Sequence, residues 1–156
     1  RDQFVYMAAY GGKIAAKNAI NVGTQTYTNA AMPWVVFTDP QIAGAGLSES
    51  QAKLAGHSVK TSIAPLELVP RALAARDTRG LIKLVADADT DELLGAQIMA
   101  PEGSDSIQTI VLALKFGMKT VELAETIFPY LTTVEGLKLA AQGFNKDVTK
   151  LSCCGG

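Results

Sequence analysis

Histidine and tryptophan each occur once in this chain, and cysteine only twice. A single histidine, His57, leaves no partner for a zinc site or a Ser-His-Asp triad, and its place beside Gly56 at a turn reads as an exposed loop residue. No C-x-x-C or separated cysteine pair is present, which excludes a disulfide framework and points to the cytosol, where thiols stay reduced. There is no G-x-G-x-x-G dinucleotide fingerprint, no P-loop and no G-x-S-x-G nucleophile turn. No apolar run approaches the length of a membrane span. Net charge is −1 with both signs interspersed, so there is no basic footprint for nucleic acid or for an anionic membrane surface. The opening Arg1-Asp2-Gln3-Phe4 lacks the build of a signal peptide and does not begin with Met, so a processed chain or a piece of a longer one is expected.

What is present suits a folded domain. Apolar residues make up 48% of the 156 and charged residues 19%, a balance that supports one ordinary hydrophobic core. Residues 3–21, rich in alanine, read as a helix with Gly11-Gly12 weakening its middle, and 22–31 as a polar linker. Trp34–Phe37 and Ile42–Leu47 read as strands around the turn Thr38-Asp39-Pro40, with Gly44 and Gly46 marking close backbone approach. Ser48-Glu49-Ser50-Gln51 is a capping box that opens a short helix ending at Gly56. Val59–Ala64 alternates as a strand. The strongest hairpin signal joins Leu81–Val85 to Leu93–Met99 through the polar turn Asp87–Asp91.

Farther on, Ile107, Ile110, Val111 and Leu114 fall at i, i+3, i+4, i+7, which predicts a helix over 104–116 with one apolar face. A short helix over Thr120–Glu125 follows, then an irregular segment at Phe128-Pro129-Tyr130-Leu131. A last helix is expected from about Thr133 to Asn145, with Val134, Leu137, Ala141 and Phe144 on one side. Strands followed by helices, without regular alternation, indicate an α+β fold: an antiparallel sheet covered by helices.

Both cysteines, Cys153 and Cys154, are adjacent and two residues from the end. Thiolates are soft ligands, and two of them satisfy an ion that favours two-coordinate, linear binding, such as Hg(II) or Cu(I). The residues beyond the last helix could extend on the order of 35 Å and so deliver an ion elsewhere. An incidental terminus, a lipidation site lacking the prenylation pattern, and an intermolecular disulfide remain open beside this reading.

Three longer stretches carry a resemblance. Phe37-Thr38-Asp39-Pro40-Gln41-Ile42-Ala43-Gly44-Ala45-Gly46-Leu47-Ser48-Glu49 resembles the start of the dimerisation domain of flavin-dependent disulfide reductases. Gly80–Val85 with Leu94–Ile98 looks like that domain's central hairpin. Phe128–Gln142, running on to Lys150-Leu151-Ser152-Cys153-Cys154, is similar to the C-terminus of the family's Hg(II)-reducing members.

The resemblance implies a parent reaction in which NADPH reduces FAD and the flavin reduces Hg(II) to Hg(0). It implies a homodimer, with Cys153 and Cys154 capturing Hg(II) as the substrate ion for a redox-active cysteine pair beside the other subunit's flavin. It places Tyr130 where disulfide-reducing members carry histidine, and Glu135 at the position of the glutamate that orients that histidine. Tyr130 thereby becomes a catalytic and metal-positioning candidate, since a phenol can help place an ion where no proton shuttle is needed. Glu135, in a first helical turn, also suits the helix dipole.

The resemblance divides the chain into a remnant of the FAD-binding domain (1–21), a linker (22–31), a dimerisation domain (32–147) and a flexible metal-binding tail (148–156). The nucleotide fingerprints and the redox-active pair are absent, so the chain alone is expected neither to bind FAD tightly nor to turn over. A non-catalytic self-association domain and a stand-alone soft-metal-binding module are the alternatives.

Overall fold

The computed structural model describes residues 3–21, 23 and 25–151. The chain divides into two compact units, Arg1–Ala30 and Ala31–Gly156. In the first, helix α1 (Val5–Asn21) is followed by a return segment. The Asn18 side-chain amide donates to the Gln25 carbonyl at 2.9 Å and accepts from the Gln25 N–H at 3.2 Å. The Tyr10 and Tyr27 rings meet 5.6 Å apart. In the segment read as a polar linker, Gln25 and Tyr27 therefore fold back on α1.

The second unit is built on a five-stranded antiparallel sheet in the order β1 (Pro33–Val36), β2 (Gln41–Gly46), β5 (Leu93–Ala100), β4 (Leu81–Asp87), β3 (Val59–Pro65). Its register explains which residues are inside. One row runs Val35–Ala43–Ile98–Ile82–Ala64 and the next runs Pro33–Ala45–Ala96–Leu84–Ser62. From Ala43 through Ala64 and from Ala45 through Ser62 these side chains are buried. Alternation along each strand puts them on one face.

Helix α4 (Gly103–Lys115) lies on β2 and β5, and helix α6 (Gly136–Gln142) on β3 and β4. The alanines of β2 and β5 leave room for the α4 residues Ile107 and Ile110, both fully buried. Each such burial contributes about 1.5–3 kcal/mol. On the opposite face Val36, Ile42, Met99 and Ile63 stay partly exposed. There the Trp34 indole lies across Gly44: a Cβ at residue 44 would sit 2.4 Å from the ring, so the close approach read from the sequence is real.

Most expected elements are present within a residue or two, including α5 (Thr120–Glu125). The capping box before α2 (Glu49–Leu54) is formed as read: the Ser48 hydroxyl accepts from Gln51 N–H, and the Gln51 side-chain oxygen accepts from Ser48 N–H. One expectation needs correction. The last helix is shorter than Thr133–Asn145: it runs Gly136–Gln142, and Thr133–Glu135 form a tighter turn leading into it, with Thr133 C=O accepting from Gly136 N–H at 3.0 Å. Between β3 and β4 the structure adds a 3-10 turn at Leu66–Leu68 and helix α3 (Pro70–Ala75). Pro70 at the first helical position, with Ala-rich sequence behind it, was the available signal. No helix among the described residues is long and apolar enough to cross a membrane.

An ion-paired cluster ties α2 to the sheet. Glu49 accepts from Lys53 Nζ at 2.6 Å and from Lys83 Nζ at 2.7 Å. The Lys53 hydrogen bond, then that of Lys83, lowers the Glu49 pKa to about 2. A carboxylate depressed on folding stabilises above its unfolded value of about 4.3, and that contribution is lost as pH falls through about 2. Glu49→Gln is expected to flatten the acid limb of stability between those values. Urea midpoints at pH 5, 4, 3 and 2 check it, and parallel pH profiles for the two proteins would refute it.

Candidate functional site

Of the residues singled out in the sequence, Tyr130 and Glu135 lie on the segment between α5 and α6. Phe128 and Val134 bracket it, and both pack against the core. Between them the chain turns at Tyr130 and Leu131, and Leu131 takes a left-handed conformation (φ 63°). That conformation costs a non-glycine residue about 1–2 kcal/mol, so surrounding bonds must hold it.

Glu135, 7% exposed, accepts from Leu131 N–H at 3.3 Å. Thr132 Oγ1 donates to the Pro129 carbonyl at 2.8 Å, and Thr133 Oγ1 donates to Glu102 Oε2 at 3.1 Å. Tyr130 itself is 61% exposed. The structure thus brings Tyr130 and Glu135 into one turn, with the glutamate buried beneath and the tyrosine presented outward. The bond from Thr133, on this segment, to Glu102 was missed by sequence reading. Their contact spans 31 residues of sequence and has no local signature.

A cavity of about 250 Å³ opens beside this segment, lined by Leu66, Arg71, Ala72, Asp77, Glu102 and Thr133 among others. A second, of about 360 Å³, lies between α5 and α6, and a third, of about 330 Å³, surrounds the Glu49 cluster. None of the three is lined by glycine. A flavin or nicotinamide dinucleotide needs a glycine-rich turn opening into a helix N-terminus to cradle its pyrophosphate. These residues do not fit such a cofactor.

Cys153 and Cys154 lie outside the described residues. The 3-10 turn Val148–Lys150 leads toward them, capped by the Asp147 carboxylate, which accepts from Thr149 N–H at 3.0 Å. Leu151, the last residue described, packs against the core.

His57 differs from the exposed loop residue expected. It is half-buried, and its Nδ1 lies 2.8 Å from Asp87 Oδ2. The pairing of Val59 with Asp87 across β3 and β4 brings the two together, which no sequence spacing shows. The His57 hydrogen bond, followed by the Asp89 and Thr90 N–H groups, holds the Asp87 carboxyl below its ordinary pKa. Among the described residues no group of three or more His, Cys, Asp or Glu could hold a metal ion.

Residues 32–141 match the family model described as pyridine nucleotide-disulphide oxidoreductase, dimerisation domain. A mercuric reductase of Bacillus cereus is 54% identical over 154 residues, covering 99% of this chain and 24% of that protein. One from Shigella flexneri is 53% identical over 156 residues, covering 100% of this chain and 28% of that protein. The chain therefore spans roughly a quarter of the length of these relatives (24% and 28%). Among solved structures, the HOCl-induced flavoprotein disulfide reductase RclA from Escherichia coli superposes with a TM-score of 0.83 at 25% identity, covering 90% of this chain and 32% of that one. LpdA from Mycobacterium tuberculosis does so at 0.80 and 27%, covering 89% and 30%.

Proposed function

The chain belongs to the pyridine nucleotide-disulphide oxidoreductase family, whose dimerisation domain it carries, and from that premise we propose that it is the C-terminal portion of a mercuric reductase. The observation that carries this reading is the 54% identity to a mercuric reductase along 99% of the chain. Tyr130, exposed on its bonded turn, supports it, because the disulfide-reducing members resembled here place a histidine at that position for acid–base work.

In this reading residues 32–147 form the dimer interface, and 148–156 are the arm on which Cys153 and Cys154 capture Hg(II). Tyr130 offers a phenol oxygen to the same ion. Residues 1–21 are the end of a flavin domain, joined through 22–31. Electrons from NADPH and FAD enter through a part of the enzyme outside this chain. The isolated chain binds Hg(II) without reducing it, and the setting is cytoplasmic.

Two measurements on the chain test this. Titration of Hg(II) into the reduced protein tests capture, with the cysteine variants argued below as controls. Light scattering tests self-association: twice the 16.4 kDa chain mass is expected, in the double cysteine variant as well. A monomer at tens of micromolar would refute the homodimer. A purely self-associating domain predicts the dimer with no cysteine-dependent uptake of Hg(II), so the titration separates the two readings.

A further inference from the structure

Glu102 and Thr133 have no role in the reading above, yet they hold the segment that carries Tyr130. Glu102 sits in a left-handed conformation (φ 61°) at the corner between β5 and α4. One of its carboxylate oxygens accepts from Thr133 Oγ1 at 3.1 Å, and the other lies 3.9 Å from Arg71 Nη2. Glu135 grips the same segment from below through Leu131 N–H. Two carboxylates, far apart in sequence, therefore fasten the segment on the C-terminal side of Tyr130, Glu135 at a backbone N–H and Glu102 at the Thr133 hydroxyl. Phe128, packed on the core, anchors the other side.

Thr133 and Glu135 are both under 10% exposed, at 8% and 7%, while Tyr130, just ahead of them, is 61% exposed. The segment that carries this open side chain is tied on both of its sides. Fixing a reacting group in place before the ion arrives removes the cost of ordering it at binding.

We propose that Glu102, Thr133 and Glu135 are positioning residues that set the Tyr130 phenol toward incoming Hg(II), Glu135 acting on the Leu131 backbone N–H and Glu102 through the Thr133 hydroxyl. The proposal rests on the reading of Tyr130 as a site residue, and its test reads the strap separately from the ion.

The chain carries four tyrosines. Carbon-13 tyrosine labelling, with Tyr130→Phe to assign the ring signal, follows Tyr130 directly. Amide hydrogen exchange follows Leu131. In Glu135→Ala the Leu131 amide is expected to exchange about tenfold faster, the scale of one lost bond to a charged acceptor. The Tyr130 ring signal should shift in Glu135→Ala and in Thr133→Val, which keeps the shape and removes the hydroxyl. Glu135→Gln, which retains an oxygen acceptor, should restore both signals, and exchange in β4 and β5 should stay unchanged.

An unmoved Tyr130 ring in Thr133→Val and Glu135→Ala overturns the proposal. So does a Gln variant as disruptive as Ala, or an exchange increase spread evenly over the sheet, the sign of a merely structural role. If the ring responds and Hg(II) fails to bind, the site reading falls while the strap stands. If Hg(II) binds and the ring does not respond, the strap falls alone.

Discussion

Reduced chain carrying alanine at both Cys153 and Cys154 is expected to bind Hg(II) far more weakly than the unsubstituted chain. These are the only thiols in the protein. Hg(II) is soft and thiophilic, and thiolates are the softest ligands a protein offers. Removing both leaves oxygen and nitrogen donors, and among the described residues no cluster of three or more His, Cys, Asp or Glu replaces them. The loss should exceed about a thousandfold, which is about 4 kcal/mol. Each single variant keeps one thiolate and should lie between the wild type and the double variant. Tyr130→Phe should matter less than either, because a phenol oxygen is the harder ligand. Competition against a small-molecule thiol, scored at one Hg(II) per chain, reads all four variants. Equal affinity in the wild type and the double variant would sink the capture role.

How much of this was visible beforehand depends on range along the chain. Local signals survived folding: the Ser48 cap, the hairpin around Asp87–Asp91, and the apolar stripe of Ile107, Ile110, Val111 and Leu114 each rest on residues within a few positions of one another. In the hairpin, the Asp87 carboxylate accepts from the Asp89 and Thr90 N–H groups, a bond set entirely by the turn's own residues. Contacts made by tertiary packing were not visible. His57 meets Asp87 only because β3 and β4 pair, and Thr133 meets Glu102 only because α4 and the strap converge. The late start of the last helix, at Gly136, falls just after the residues whose side chains bond to this segment and to Glu102. Tyr130 and Glu135 were recognised through resemblance rather than spacing. Their five-residue separation suggests a shared site, but not that the glutamate holds backbone.

Gly80→Ala is expected to destabilise the fold strongly. Gly80 immediately precedes β4 and has φ +131°, a conformation that side-chain-bearing residues rarely adopt. Even if the backbone held, the new Cβ would lie 1.9 Å from the Met99 carbonyl oxygen and 2.7 Å from its carbon. Both atoms belong to the backbone of β5, so no rotamer change relieves the contact. Either β4 separates from β5 at its first residues or residue 80 abandons its conformation, and the second choice disturbs the Gly80 carbonyl that accepts from Leu66 N–H at 3.1 Å.

Backbone strain costs about 1–3 kcal/mol and overpacking about 1–3, so the combined loss is about 2–6 kcal/mol. Against a typical stability of about 5–15 kcal/mol that is a large share. Urea unfolding measures it as a lower midpoint at unchanged slope. A loss below about 1 kcal/mol would mean that the strand ends yield freely and that the register at Leu81 and Met99 is not rigid. The effect should also reach the site. Met99 and Ala100 lead directly into Pro101 and Glu102, so displacing them moves the carboxylate that holds Thr133. The Tyr130 ring signal should therefore shift in the folded fraction of Gly80→Ala, although residue 80 belongs to a different part of the sequence.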